Sequence, residues 1–297
     1  MVHADFRNFL LLALLLFSGP FGSDLQVGVY TQLSDPGIWP TSTPQYGDAL
    51  YETNEAYAYG FEVQYKRFGF AMSPSFFGES QDSPTYPPTK FFDLGTYYYG
   101  DAWGVETYYQ YFRGFYASYR DTSLNNSSLW LHSFDVNLYH SINKSSNVFC
   151  MREGIDKTGI KWNFYYLFAA ATQSMLSPTP LFPGSDTTNN AKLDDLRRLK
   201  TLQAFAAVGA TLNTNLFGFY ADPTVFIGYG PQYRWTNADI DKFGFGLKAN
   251  LKLESGYRCD RLGLGLSVQN DLNSVEAGDE NVEFHSTILK FFLSVSM

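Results

Sequence analysis

The sequence predicts an all-β chain: a single antiparallel transmembrane β-barrel of about 12 strands, with about 10 or 14 as alternatives, behind a cleaved signal peptide. Three observations carry this expectation. Long stretches alternate between apolar and polar or glycine positions, the period of a strand with two unlike faces. Of the 297 residues, 18% are aromatic and only 17% charged, with 22 Tyr, 27 Phe and 25 Gly. That composition suits strands with tight turns and the aromatic girdles of a membrane barrel. The connections are mostly short and long by turns, as in a barrel with tight turns on one side and long loops on the other.

The clearest stretch runs from Phe243 to Gln269. Phe243, Phe245, Leu247, Ala249, Leu251 and Leu253 fall on one face, and Gly244, Gly246, Lys248, Asn250, Lys252 and Glu254 on the other. After a polar turn, Ser255 to Arg261, the alternation resumes with Leu262, Leu264, Leu266 and Val268 against Gly263, Gly265, Ser267 and Gln269. A soluble sheet turns such an apolar face to a core; a membrane barrel turns it to lipid and its polar face to a lumen. After residue 20 no apolar run approaches the roughly 20 residues a spanning helix needs. A net charge of −8 disfavours a nucleic-acid partner, which requires a basic face.

Residues 1–23 have the form of a secretory signal: Arg7, the apolar run Phe9 to Phe17, then Gly19, Pro20, Gly22 and Ser23. Residues 24–297 form the barrel, and no repeat or linker marks a second domain. The first strand-like segment is Val27 to Leu33. The second alternates Tyr57, Tyr59, Phe61, Val63 and Tyr65 with Glu62, Gln64 and Lys66. The third follows a turn at Arg67 and carries Phe68, Phe70 and Met72. Phe91 to Tyr99 is the fourth; the fifth sets Trp103, Val105, Tyr109 and Tyr111 against Glu106, Gln110 and Phe112. The sixth, Leu129 to His140, opposes Trp130, Phe134, Val136 and Leu138 to Asp135 and Asn137. The seventh opposes Trp162, Phe164, Tyr166 and Phe168 to Lys161 and Asn163. The eighth spans about Leu202 to Leu212. In the ninth, within Phe217 to Trp235, Pro223 marks a bulge or the true start, because proline cannot donate to a ladder. The hairpin at Phe243 supplies the tenth and eleventh, and Glu283 to Ser296 the twelfth. The segment Leu193 to Leu202 (LDDLRRLKTL) has the composition of one or two helical turns.

Long connections precede the second, fourth and eighth segments. Ser141 to Gly159 is long where a short turn is expected, and Asn237 to Asp241 short where a long loop is expected. With an even strand number both termini are periplasmic, and so are Cys150 and Cys259. The two can pair in an oxidising compartment; the sequence leaves that open.

From about residue 56 onward the chain resembles an uncharacterised bacterial outer-membrane family, domain-of-unknown-function 4421, common in Bacteroidetes-type Gram-negative bacteria. The residues that carry the resemblance are Tyr59-Gly60-Phe61, Tyr65 to Phe70, Tyr109 to Tyr116, Arg152-Glu153 and Gly256-Tyr257-Arg258. The resemblance implies an outer-membrane barrel, assigns no activity and carries over no functional residue.

Some membrane barrels are hydrolases, so the histidines are weighed as general bases. His3 lies in the signal; His132 and His140 share a face with Trp130 and Phe134, and His285 with Leu289 and Phe291, all on the expected lipid side. Asp194-Asp195 and Asp239 with Asp241 are loop carboxylates without calcium-loop glycine spacing. No catalytic residue, metal ligand or cofactor is assigned. The expected lumen set is Glu62, Gln64, Lys66, Glu106, Gln110, Asp135, Asn137, Lys161, Asn163, Lys248, Asn250, Lys252, Gln269 and Lys290, with acids on the early strands and lysines on the later ones. Such charges need pairing or water. Two arrangements satisfy that: a water-filled conduit with a transverse field, or a lumen closed by salt bridges and loops. The function expected is a non-enzymatic narrow channel or binding protein for small polar or amphipathic solutes in the outer membrane of a Gram-negative bacterium. Its partners are the membrane lipids, the barrel-insertion machinery and an unidentified solute. A lipid-acting barrel enzyme and a secreted glycan-binding β-sandwich are the alternatives.

Overall fold

The computed structural model describes residues 25–40, 50–53, 56–75, 89–119, 122–142, 148, 158–179, 181, 196–237, 243–259, 261–277 and 280–296. The signal expected at residues 1–23, Cys150, and the carboxylates Asp194, Asp195, Asp239 and Asp241 lie outside them. The strands are β1 (Leu25–Pro40), β2 (Leu50–Glu52), β3 (Ala56–Tyr65), β4 (Phe68–Pro74), β5 (Lys90–Tyr99), β6 (Trp103–Tyr119) and β7 (Thr122–Ser141). They continue as β8 (Gly159–Leu176), β9 (Arg198–Asn215), β10 (Phe219–Thr236), β11 (Phe243–Arg258), β12 (Leu262–Ala277) and β13 (Glu280–Ser296). Each pairs antiparallel with its neighbour, and β13 pairs back onto β1 from Gln26↔Ser296 to Pro40↔Val282. The result is a closed twelve-stranded barrel with one additional short strand, β2. Closure leaves no sheet edge.

Burial alternates along the walls as the sequence pattern requires. In β10 the record is one exposed, one buried residue from Phe219 to Arg234. Phe245 (43% exposed) and Leu264 (62%) point outward with Val208, Ile227, Tyr229 and Phe168, so the apolar face of each hairpin lies outside. A two-layer sandwich would bury that face instead. Aromatic pairs band the outer surface near both ends, Phe219 with Tyr257 at one and Tyr233 with Trp235 at the other.

Several elements differ from the sequence reading. β1 is 16 residues long rather than the shorter Val27–Leu33, because continuous pairing with β13 carries it through Pro36 and Gly37. β11 extends through Ser255–Arg258, residues expected in the turn. β6 and β7 fill the gap expected between Phe112 and Leu129. Arg198–Leu202 is strand, not helix: Leu199 and Thr201 face inward and pair with β8 and β10, and that two-sided ladder overrides the local helical composition. Pro223 lies inside β10, neither at its start nor at a bulge in the β10–β11 ladder, whose register runs unbroken through Pro223↔Leu253. Beside it the β9 ladder stops at Thr224↔Thr211, and side chains take over: Thr214 N–H donates to Asp222 Oδ1 (2.7 Å) and Ala221 N–H to Thr214 Oγ1 (2.7 Å).

The barrel also changes girth. β3, β4 and β5 are shorter than the 16 to 20 residues of the other wall strands. β1 pairs β3 only as far as Ser34↔Ala56, and β5 pairs β6 only as far as Lys90↔Arg113. Beyond those points β2 joins β1 (Ile38↔Tyr51) to β6 (Glu52↔Tyr116), replacing three strands with one. The switch in β6 falls at Gly114, whose φ of +93° suits glycine, and there the β6–β7 register shifts. The slip changes the parity, so Phe112 and Phe115 both point inward.

Candidate functional site

The inner faces of the strands stack three layers along the bore. At the long-loop end lies an apolar cluster: Ile38, Tyr51, Phe91, Phe112, Phe115, Leu129, Leu131, Met175, Leu199, Val275, Val282 and Phe284, with Ala58 at its edge. Every wall strand except β4, β10 and β11 contributes, and Leu181 and Leu196 from the β8–β9 connection complete it. Tyr51 bonds Leu181 through its hydroxyl, which donates to the carbonyl at 2.5 Å. Most of these side chains are 0–2% exposed. The cluster covers most of the circumference, and on the β9–β10 side its neighbours are the buried polar side chains Thr201, Gln203, Gln232 and Arg234. The apolar part offers an ion or polar solute few hydrogen-bond partners.

Beneath it a cavity of about 250 Å³ extends to the strand ends at the short-turn rim, where Gln26, Arg258, Gly263 and Ser294 line it. At about 30 Å³ per water that is room for roughly eight water molecules. Six carboxylates line it, Glu62, Asp93, Glu106, Asp135, Glu254 and Asp271, against four cations, Lys248, Lys252, Arg258 and Lys290. Lys248 Nζ reaches across the bore from β11 to Asp135 Oδ1 on β7 at 3.1 Å, and Lys252 Nζ meets Glu254 Oε2 at 2.9 Å. Asp271 accepts from Asn250 and from Gln269 (2.6 Å). Asp93 accepts from Gln32 and from Gln110 (3.4 Å). Lys290 lies over the Tyr30 ring at 4.9 Å and Arg258 over Tyr220 at 4.8 Å.

On the side formed by β5 and β7–β10 a second apolar cluster narrows the bore, built on Tyr97, Tyr99, Tyr139, Tyr165, Leu167, Phe205 and Phe226. Three of its tyrosines, Tyr97, Tyr99 and Tyr139, present their hydroxyls to the cavity. Glu106 accepts from Tyr99, from Tyr139 (2.5 Å) and from Tyr108 (3.4 Å), and Tyr97 donates to Glu62 at 2.5 Å. Val148, from the long connection at the short-turn end, is fully buried in this cluster, and its N–H donates to the Asp101 carbonyl (2.9 Å). The unexpected length of Ser141–Gly159 thus supplies a side chain to the lumen.

Of the fourteen residues expected to line the lumen, eleven line this cavity. Lys66 sits in the exposed β3–β4 turn with φ +55°. Asn163 is buried against Asn213, donating to Oδ1 at 2.6 Å, and Lys161 faces inward nearer the short-turn end of β8. Asp93, Asp271, Glu254 and Arg258 belong to the site although the expected set omits them. Strand parity identifies them, since Asp271 shares a face with Gln269 and Glu254 with Lys252. The tyrosine hydroxyls carried no comparable signal. His132 and His140 face outward: Tyr109 Oη bonds His132 Nδ1 at 2.8 Å, and His140 packs on Trp103 at 4.1 Å. Among the described residues no group of three His, Cys, Asp or Glu side chains is placed to hold a metal ion. Cys259 is exposed in the β11–β12 turn.

No family model matches the chain, and comparison with curated proteins finds no match. Among solved structures it is similar to the outer membrane protease OmpT from Escherichia coli, at 8% identity over 92% of this chain and 96% of that one (TM-score 0.39). It is also similar to the β domain of the Bordetella autotransporter BrkA, at 9% identity over 91% and 99% (0.42), and to the translocator domain of the autotransporter NalP from Neisseria meningitidis, at 12% over 98% and 96% (0.37). These are likenesses of a barrel to barrels, and no chemistry is taken from them.

Proposed function

We propose that the chain is an outer-membrane β-barrel that binds a small polar or amphipathic solute in a cavity reached from the periplasm, rather than a standing open pore. Its outward aromatic and aliphatic surface suits contact with lipid, and its two girdles suit the two interfaces. The β3–β4, β5–β6, β9–β10 and β11–β12 turns share one rim with the start of β1 and the end of β13. The opposite rim carries the long β4–β5 and β8–β9 connections beside the two-residue connections after Tyr119 and Ala277. Such barrels turn the rim with the short turns to the periplasm. The observation that carries the reading is the apolar layer across the bore, directly above a charged cavity that reaches the opposite rim. Passage through the lumen would require that layer to part; binding beneath it requires no rearrangement. His132 and His140 are read as outer-surface aromatics without a catalytic part, since their partners are Tyr109, Tyr111, Trp130 and Trp103, whereas His285, expected on the lipid side, is among the residues at the cavity. Single-channel recording tests the proposal: purified protein inserted in planar bilayers gives no conductance steps, and regular steps from the unaltered chain would replace a binding barrel with a channel.

A further inference from the structure

We propose that the centre of the cavity is a site for a small organic cation bearing several N–H donors, with a short diamine as the simplest case. The inference rests on the solute-binding reading above and names the class of solute. Its focus is the Lys248–Asp135 bridge, which spans the bore from β11 to β7. Asp271 pairs with Asn250, the next inward position after Lys248, and Glu106 with Asn137, the next inward position after Asp135, so three carboxylates act on one resident cation. Across the whole cavity carboxylates also outnumber cations. A site walled by low-dielectric aromatic side chains concentrates that excess negative field.

A second observation is independent of charge. Asn137, Gln173 and Asn273 line the cavity, and their side-chain carbonyl oxygens are buried beside it and accept no hydrogen bond from the described residues; the residues are 7%, 5% and 8% exposed. They cluster about the bridge. Asn273 is the cross-strand partner of Lys248, Asn137 follows Asp135 on the same face, and Gln173 is the partner of Ser133, which precedes Asp135 on that face. Buried acceptors without donors are costly, and a ligand that supplies N–H groups removes the cost. A carboxylate or phosphate solute would meet both the surplus acids and these oxygens unfavourably. A polyol would satisfy the oxygens but not the field. Only a donor-rich cation answers both.

Three four-carbon probes separate these cases: putrescine (a dication), succinate (a dianion) and 1,4-butanediol (neutral), titrated calorimetrically into the full chain folded in detergent. Putrescine should bind at least about tenfold more tightly than succinate, and weaken as salt rises. Asp271→Asn, which keeps the shape and removes a charge, should weaken putrescine by about tenfold. Lys248→Met, which removes the resident ammonium, should tighten it; should that variant fail to fold, Asp271→Asn carries the test alone. Succinate binding as tightly as putrescine would overturn the cation assignment and leave solute binding standing. Butanediol equal to putrescine would remove the role of charge. No probe binding to folded protein would overturn this inference and the solute-binding reading together.

Discussion

The transverse bridge offers the sharpest energetic test. Lys248 Nζ lies 3.1 Å from Asp135 Oδ1, and the two side chains are 11% and 15% exposed. At an effective dielectric constant of about 20 their attraction is roughly 5 kcal/mol, before the cost of removing both charges from water. The two halves of the pair are not equivalent. Asp135→Asn leaves Lys248 beside Asp271 and Glu106, and the amide oxygen can still accept from the ammonium, so we expect a loss of about 1–2 kcal/mol. Lys248→Met leaves Asp135 without its ion-pair partner and Asp271 and Glu106 with one cation fewer, Lys252 still acting on Glu106, and should cost about 3–5 kcal/mol. Urea unfolding of the folded barrel in detergent, followed by tryptophan fluorescence and by heat-modifiable gel mobility, reads the difference as a shift in midpoint at constant slope. Putrescine should restore part of the Lys248→Met loss, by about 1.4 kcal/mol at tenfold above its dissociation constant. If Asp135→Asn proved as damaging as Lys248→Met, the bridge would be an isolated pair and the three-carboxylate arrangement would be refuted.

Other consequences are as direct. Phe112→Ala combined with Met175→Ala removes two fully buried side chains from the apolar layer; it should cost about 2–5 kcal/mol per site and give conductance steps absent from the unaltered protein, and continued silence would mean the bore is closed elsewhere. Gly114→Val forces a branched side chain onto φ +93° and should destabilise by about 2 kcal/mol while leaking ions, whereas Gly28→Ala, whose added carbon meets nothing nearer than 3.5 Å, should do neither. Equal effects from these two glycines would remove the bulge from the account. With Cys150 replaced by serine, Cys259 should react with a membrane-impermeant maleimide only after the outer membrane is permeabilised; labelling of intact cells would invert the orientation.

Much of this architecture was legible in the chain because a barrel wall has a period of two and each residue's parity assigns its face. Phe245, Lys248 and Asn250 could be placed without coordinates for that reason, as could the outward histidines. Parity fails where the ladder slips. Nothing in the string Phe112-Arg113-Gly114-Phe115 shows that both phenylalanines point inward, since the shift at Gly114 depends on which strand lies beside β6 at that height. β2 was illegible for a related reason: three residues carry no period, and their ladder partners, Ile38 of β1 and Tyr116–Ser118 of β6, are distant in sequence. The apolar layer was half visible. Phe112 shares a face with Gln110, and Leu131 with Ser133, but an inward apolar residue reads as a seal only when its counterparts on the opposite wall are known.

The seal and the cavity follow from one geometric cause. Bore diameter grows with strand number: about eight strands leave a space that side chains fill, and larger rings leave room. At the short-turn end twelve strands surround the lumen, and charged side chains there enclose water-sized volume. Where β2 replaces β3, β4 and β5 the ring drops to ten, and opposite walls come close enough for Ile38, Phe115, Leu129 and Val282 to join one cluster. The same inward positions therefore serve opposite purposes at two heights. Polar residues can occupy the wide part because water or a solute reaches them, and apolar residues occupy the narrow part because nothing else satisfies a space without water. Widening the upper ring by displacing β2 from between β1 and β6 is thus the motion that would open the bore from end to end, and Tyr51, which ties β2 to Leu181, is a side chain that opposes it.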